Sequence, residues 1–352
     1  MDDRAEGFVR TVRESVERGE ALCLRGSGSK AFYGTPCRGR ELDVSGHRGI
    51  VQYEPTELVI TAQAGTPLAE VEATLAERGQ MLAFEPPHFG PKATVGGCVA
   101  AGLSGPRRPY AGAVRDFVLG VRMIDGRGNN LSFGGQVMKN VAGFDVARLA
   151  VGSLGTLGLF LETSFKVLPQ PAEETTLRFE MNEPQAIEAM NRWAGRPLPL
   201  SATCYRDGCL TLRLSGAAAA LASGRTKLGG ERVDDGPAFW TAVREQTLDY
   251  FTGTKPLWRL SVKPTTPPLN LIGDQLMEWG GALRWLASDL AAEIVRSAAA
   301  NAGGHATLFR ARGSAAPVFH PLPPSLLALH RRLKRAFDPH GVLNPGKLFP
   351  DA

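Results

Sequence analysis

The run Arg25-Gly-Ser-Gly-Ser-Lys30 follows a short apolar stretch and combines small side chains with one lysine. Consecutive main-chain N–H groups in such a turn form an anion-binding nest, and Lys30 adds positive charge, so the chemistry on offer is phosphate binding. Gly26-Ser-Gly28-Ser-Lys-Ala31 also fits G-x-G-x-x-[GA], but Gly34, Pro36 and Gly39 follow where a nicotinamide-type fingerprint needs a helix. Taken alone, the run reads equally well as a plain turn after a strand. Two further blocks are Ala93-Thr-Val-Gly-Gly-Cys-Val-Ala-Ala-Gly102 and Ala150-Val-Gly-Ser-Leu-Gly-Thr-Leu-Gly158. Small residues with free N–H groups suit a flat, phosphate-bearing ligand laid along main chain, with tight strand packing as the rival reading. The three together favour a dinucleotide-like cofactor.

Other reactive types are sparse. Gly341-Val-Leu-Asn-Pro-Gly-Lys347 approaches a P-loop, but Leu348 replaces the Mg²⁺-holding Ser/Thr and Pro345 removes a donor, so a structured turn is the better reading. There is no G-x-S-x-G elbow and no H-E-x-x-H. The six histidines are scattered; His305 opens an expected strand beside Arg310, where a structural role is the commoner one. The five cysteines (Cys23, Cys37, Cys98, Cys204, Cys209) form no C-x-x-C pair, which encodes neither a zinc site nor an iron–sulfur cluster, and no metal is expected. In a hairpin turning at Asp207-Gly208, Cys209 faces Arg206 rather than Cys204, which argues against a disulfide there. The odd count fits a reducing compartment, and the charged start MDDRAEGFVR has no signal-peptide core, so a cytoplasmic protein is expected.

These residues must be positioned by a sizeable fold. The chain has 352 residues, 43% hydrophobic and 21% charged, which excludes disorder and suggests two domains. Of its 41 glycines, 15 fall between Gly90 and Gly158 without a period, so repeats are excluded. The net charge of +5 is mild and lacks a basic stripe, which argues against nucleic acid. The dense run Arg331, Arg332, Lys334 and Arg335 reads as the solvated face of a helix whose other side is Leu326, Leu329, Leu333 and Phe337. An anionic partner or a membrane surface is its second reading. The longest stretch without a charge, residues 313–330, holds four prolines and spans no membrane.

Phe8, Val12 and Val16 mark a helix ended by Gly19, and residues 21–24 a strand. A strand over 58–63 leads to a helix with Thr66 as N-cap, Pro67 at N1 and a buried stripe of Leu68, Val71 and Leu75. Residues 117–125, a turn at Gly126-Arg-Gly128 and a strand near Leu131 predict a hairpin. Residues 156–167 alternate, with Leu157, Leu159, Leu161, Phe165 and Val167 on one face, as a strand with one face buried. The texture changes at Pro169-Gln-Pro171, where a domain boundary is expected. Beyond it lie strands near 176–180, 201–206, 209–214, 257–262 and 305–309, and a helix over 290–301 capped by Ser288. A linker over 317–324 and a last helix ending at Asp338-Pro339 complete the chain.

The order RGSGSK, ATVGGCVAAG, RDFVLGVRMIDGRG, KNVAGFDVARLAVGSLGTLG and FDPHGVLNPGK resembles the PCMH-type FAD-binding family of vanillyl-alcohol oxidase. FWTAVREQTLDYF, LWRLSVKP, EWGGALRWL and GGHATLFR narrow the likeness to the FAD-binding E subunits of bacterial glycolate oxidases, over nearly the whole chain. The resemblance implies an α+β fold: a PCMH-type domain of two subdomains cradling FAD (1–170), a smaller α/β cap over the isoalloxazine (171–320), and a C-terminal helix and NPGK tail returning to the FAD domain (321–352). It implies that Gly26, Ser27, Gly28, Ser29 and Lys30 hold the pyrophosphate. Thr94, Val95, Gly96, Gly97 and Gly102 would line the FAD channel, Gly155, Thr156 and Gly158 the adenosine side, and Asn344 would approach the flavin.

Relatives that bond FAD covalently carry His in the first loop, where Ser29 and Lys30 stand, so the flavin is expected to be non-covalent. Relatives that oxidise 2-hydroxy acids carry a metal-binding histidine cluster in the cap, where only His305 stands, so a complete independent active site is not expected. The implied function is that of an FAD subunit of a glycolate (2-hydroxy acid) oxidase complex. A larger FAD subunit and an iron–sulfur subunit that takes the electrons would be its partners. For substrate oxidation the candidates are Arg259 or Arg310 to hold the carboxylate and His305 as base. The alternatives are a stand-alone FAD-dependent D-2-hydroxy acid dehydrogenase and a non-catalytic interaction subunit.

Overall fold

The computed structural model describes residues 3–135 and 145–349; the KNVAGF portion of the fourth quoted motif and the last three residues of the tail lie outside them. The architecture is α+β. A five-stranded antiparallel sheet runs in the order Ile50–Glu54, Val59–Gln63, Leu159–Lys166, Val118–Ile124, Asn130–Gly134. A parallel pair, Leu22–Arg25 with Arg40–Asp43, is joined to it by an apolar cluster that includes Val12 of the helix Asp3–Arg18, Leu22, Ile124 and Leu161. An eight-stranded antiparallel sheet follows in the order Glu231–Val233, Glu173–Glu180, Cys209–Gly216, Leu200–Arg206, Asp274–Glu278, Leu283–Ala287, Leu257–Ser261, His305–Arg310.

Local sequence accounts for most of these elements. The hairpin after Val118–Ile124 turns where Asp125 accepts hydrogen bonds from the main-chain N–H of Arg127 (2.9 Å) and Asn129 (2.8 Å). The helix Leu68–Ala76 buries Leu68, Val71 and Leu75, but its cap position is Pro67 and not Thr66. The Thr66 hydroxyl instead exchanges hydrogen bonds with the main chain of Gly49 (2.9 and 3.1 Å). Ser288 likewise stands before the cap of the helix Ala292–Asn301, which is Ala291, and its hydroxyl accepts from Leu290 N–H.

The strand Leu159–Lys166 corrects the one-face expectation. It lies in the middle of its sheet, and Leu161 is skipped in the register with Val118–Ile124. That bulge flips the alternation. Leu159 and Leu161 therefore enter the cluster under the N-terminal helix, while Phe165 and Val167 enter the cluster under Leu68 and Val71. The block 93–102 is not extended loop either: Val95–Ala101 is a helix, with the Thr94 hydroxyl accepting from Gly97 N–H and Gly102 closing it at φ +64°.

Four ties fix the large sheet and its helices against the rest. An apolar layer joins Leu103 and Leu154 to Trp279, Trp285 and Phe309. The Trp279 indole donates to Gly105 C=O (3.1 Å), and the half-buried Glu245 carboxylate accepts from the N–H groups of His88 (3.0 Å) and Phe89 (2.8 Å). Arg213 meets Glu85 at 2.7 Å, with Arg107 alongside.

The C-terminal helix Pro324–Phe337 ends in a buried knot. Lys334 Nζ donates to Asp338 (2.6 Å), Leu343 C=O (2.7 Å) and Thr156 C=O (2.8 Å). Lys334 is thus not part of a solvated face, and on the supposed inner side Leu326 and Leu329 are 40% and 48% exposed. The helix is docked by its last turn.

Candidate cofactor and active site

A cavity of about 400 Å³ opens where the parallel pair, the helix Val95–Ala101 and the tail meet. All five residues of the loop 26–30 line it. The loop is built from two successive turns, Ala31 N–H to Gly28 C=O (2.9 Å) and Tyr33 N–H to Lys30 C=O (3.0 Å). This leaves the main-chain N–H groups of Ser27, Gly28 and Lys30 without a partner among the described residues. Free N–H groups converging on a cavity are what a pyrophosphate requires. The Lys30 ammonium donates to His88 C=O (3.2 Å), and burial lowers its pKa.

Two glycines here cannot carry a side chain. A Cβ on Gly26 would stand 2.6 Å from the Thr94 hydroxyl, and one on Gly155, at φ +73°, would stand 2.7 Å from the Asn344 amide nitrogen. Thr94, Gly96, Gly97, Gly155, Gly158 and Asn344 line the cavity; Val95, Gly102 and Thr156 do not. Val95 is in the core, Gly102 closes its helix, and the Thr156 hydroxyl donates to Ser153 C=O while its carbonyl accepts from Lys334. Asn344 is a clamp as well as a wall. Its amide donates to Leu154 C=O (2.6 Å) and accepts from Leu24 N–H (2.7 Å), which joins the first strand, the second glycine block and the tail.

Cys23 and Cys37 also line this cavity and are joined by a disulfide. The odd cysteine count does not, after all, leave every thiol free. Cys98, Cys204 and Cys209 are unpaired, and Cys209 lies opposite Arg206 as the hairpin predicts. The Cys23–Cys37 pairing gave no sequence signal, because a spacing of 14 residues becomes a contact only when two strands run parallel.

The Tyr33 ring, on the cavity wall, lies 5.3 Å from Phe309. Behind this aromatic layer is a second, small cavity of about 30 Å³, lined by Arg259, Glu278, Trp279, Trp285 and Phe309 among others. The Arg259 guanidinium stands 5.1 Å from the Trp279 ring centre, and burial lowers its pKa. Glu278, absent from the sequence candidates, accepts from the Trp285 indole at 2.7 Å. Burial raises its carboxyl to about 7, against the opposing pull of that hydrogen bond and of Arg259.

His305 is exposed at the end of the edge strand, on the same sheet face as Arg259 but outside the small cavity. Burial and the Arg259 charge lower its pKa. Arg310 lies elsewhere, in a surface cleft with His88, Phe89 and Glu245. It donates to the Gln246 side chain (2.8 Å) and stacks 4.1 Å over Phe32, and burial lowers its pKa to about 10. The three residues proposed for catalysis do not share one pocket. Among the described residues no cluster of metal-ligating side chains occurs, and no helix is long and apolar enough to cross a membrane.

The FAD binding domain family matches residues 4–134, and the family of FAD linked oxidases, C-terminal domain, matches residues 320–348. The chain is 48% identical over 349 residues to glycolate oxidase subunit GlcE of Escherichia coli K12, covering 99% of this chain and 98% of that one. It is 33% identical over 156 residues to glycolate oxidase subunit GlcD of Bacillus subtilis 168, covering 44% of this chain and 33% of the other. Among solved structures, p-cresol methylhydroxylase with bound substrate aligns over 99% of this chain and 88% of that one, with TM-score 0.72 and 14% identity. An alkyldihydroxyacetonephosphate synthase aligns over 97% and 74%, with TM-score 0.67 and 15% identity. These two likenesses concern the fold.

Proposed function

The chain belongs to the GlcE family of glycolate oxidase subunits and binds FAD, and from that premise we propose that it is the FAD subunit of a complex that oxidises glycolate or a related 2-hydroxy acid. The end-to-end likeness to a named glycolate oxidase subunit carries this reading. The cavity supports it, because the partnerless N–H groups of Ser27, Gly28 and Lys30 and the side-chain-free approach at Gly26 and Gly155 suit a dinucleotide.

When bound, FAD supplies the hydride acceptor for oxidation of the α-carbon. The loop 26–30 holds the pyrophosphate, with the Lys30 ammonium offsetting its charge. Thr94, Gly96 and Gly97 line the channel, with Val95 and Gly102 holding their helix behind it; Gly155 and Gly158, backed by Thr156, meet the adenosine side, and Asn344 steadies the wall near the flavin. Arg259, behind the Tyr33–Phe309 layer, would hold the substrate carboxylate, with Arg310 the alternative in its own cleft. His305, on the face of Arg259 but outside its cavity, would take the hydroxyl proton only of a substrate that reaches across that face. Electrons leave to an iron–sulfur partner, since the cysteines here lack cluster spacing. A larger FAD subunit completes the complex, which we place in the cytoplasm, with the basic C-terminal helix available for peripheral membrane contact.

One observation favours a second reading. The cavity beside Arg259 has room for about two waters, so a 2-hydroxy acid enters only if the surrounding rings move. On that reading the partner oxidises the substrate and this chain's FAD relays electrons or serves assembly.

Anaerobic addition of glycolate to the FAD-loaded chain, alone and within the reconstituted complex, tests the proposal. Bleaching of this chain's flavin absorbance only in the complex is the expected result. Bleaching by the isolated chain would make it a stand-alone dehydrogenase, and a colourless chain that assembles yet takes up no FAD would sink the proposal. His305→Ala leaving turnover of the complex unchanged would remove His305 as the base.

A further inference from the structure

The Cys23–Cys37 bond closes a loop that contains the whole of Gly26-Ser-Gly-Ser-Lys30 and Tyr33. Cys23 lies within the first strand and Cys37 just before the second, so the bond ties the two mouths of the cofactor loop together. Between Lys30 and Arg40 the only main-chain hydrogen bond among the described residues from this segment to a distant part of the chain is Thr35 N–H to Lys347 C=O (3.0 Å). Ring contacts of Phe32 and Tyr33 with Phe309 add side-chain support. Both cysteines are half-buried and line the same cavity as the free N–H groups of Ser27, Gly28 and Lys30. A ligand filling that cavity therefore packs against both members of the disulfide.

We propose that Cys23–Cys37 is a thiol–disulfide exchange site for a small monothiol of the glutathione class, linked to FAD occupancy of the cavity. The inference rests on FAD occupying the cavity lined by the loop 26–30. To open the site, a thiolate attacks one protein sulfur, the Cys23–Cys37 bond breaks, and a mixed disulfide forms as the other cysteine leaves as thiolate. A second thiolate attacks the external sulfur of that mixed disulfide and releases the small disulfide and the second cysteine. Two small thiols are oxidised and the protein disulfide is reduced by two electrons. Closure is the reverse, with the small disulfide as oxidant.

The linkage has two physical sources. The closed loop has fewer conformations in which its N–H groups diverge, so less order is lost when FAD binds. Bound FAD also shields the sulfurs from attack. Because binding linkage is reciprocal, whatever factor closure gives to FAD affinity, FAD gives to closure. Of the remaining thiols, Cys98 and Cys204 are buried, and burial pushes the Cys98 thiol up to about 12, which keeps it protonated and unreactive at neutral pH, while the half-buried Cys209 is followed separately by the mass of its own peptide.

The test uses the full chain stripped of FAD and equilibrated in glutathione buffers from fully reduced to fully oxidised. Alkylation after acid quench and denaturation, read by mass, counts thiols; quenching of flavin fluorescence gives the FAD Kd at each end. Three thiols should be found at the oxidised end and five at the reduced end. Reduction should weaken FAD about tenfold or more, and saturating FAD should shift the exchange midpoint toward the disulfide. The double variant C23S/C37S should bind with the reduced-state Kd in every buffer. Five thiols at the oxidised end, or only three at the reduced end, would overturn the exchange site. FAD bound equally in both states sinks the linkage alone, whereas no FAD bound in either state sinks the assignment of the cavity to FAD.

Discussion

Glu278 holds a carboxyl in the buried layer between the two sheets, with one oxygen 2.7 Å from the Trp285 indole nitrogen. Burial raises its pKa from 4.5 to about 7. A raised carboxyl pKa means that the folded state binds the proton more tightly than the unfolded state. The group therefore makes stability fall as pH rises from 4.5 to 7, with the full penalty present above that window. Glu278→Gln should keep the indole hydrogen bond and remove this slope, making the protein more stable at pH 8 by up to about 3 kcal/mol and little changed near pH 4.5. Urea melts at both pH values check it; a gain equal at both would show that the carboxyl is not the cause. Gly155 is constrained differently, by φ +73° and by the Asn344 amide 2.7 Å from where a Cβ would stand. Gly155→Ala should cost about 2 kcal/mol and weaken FAD, and a melting temperature like the parent's would show that Asn344 yields. That the loop 26–30 is a turn of small residues was legible, and its place on the cavity wall came with the fold. Glu278 was not, because a lone glutamate in EWGGALRWL says nothing about the indole that folds onto it.

The elements show the same division. The stripe of Leu68, Val71 and Leu75 and the Asp125 hairpin are legible because the residues that shape them lie within one or two turns. The bulge at Leu161 is not, since it arises from the register of a neighbouring strand. The helix Pro324–Phe337 is the sharpest case. Its periodicity sets Lys334 among arginines, yet the carbonyls of Thr156 and Leu343 await that ammonium and Asp338 completes the knot. Lys334→Ala would strand the buried Asp338 carboxylate and should cost roughly 3 kcal/mol. Loss of that much in denaturant melts, with early proteolysis of the C-terminal helix, is the expected result. Unchanged melts would mean that the tail holds without the knot.

At the scale of the molecule, the cavity is assembled from four distant stretches of chain, namely the first loop, the two glycine blocks and the tail. No histidine stands in the loop 26–30, so the flavin should be released by acid precipitation, with all the yellow colour in the supernatant and none in the pellet. Flavin retained on the pellet would show a covalent bond and refute that expectation. The sequence by itself determined the glycine-dense stretches, the small-residue turn at 26–30, the main strands and the family, because these depend on backbone freedom, short-range periodicity and motif order. Only the tertiary structure decided that Cys23 reaches Cys37, that Lys334 is buried, and that Arg259, His305 and Arg310 face different spaces. Each depends on which strands become neighbours and in what register. That choice is made by burial of apolar faces from remote parts of the chain, and local spacing carries no record of it.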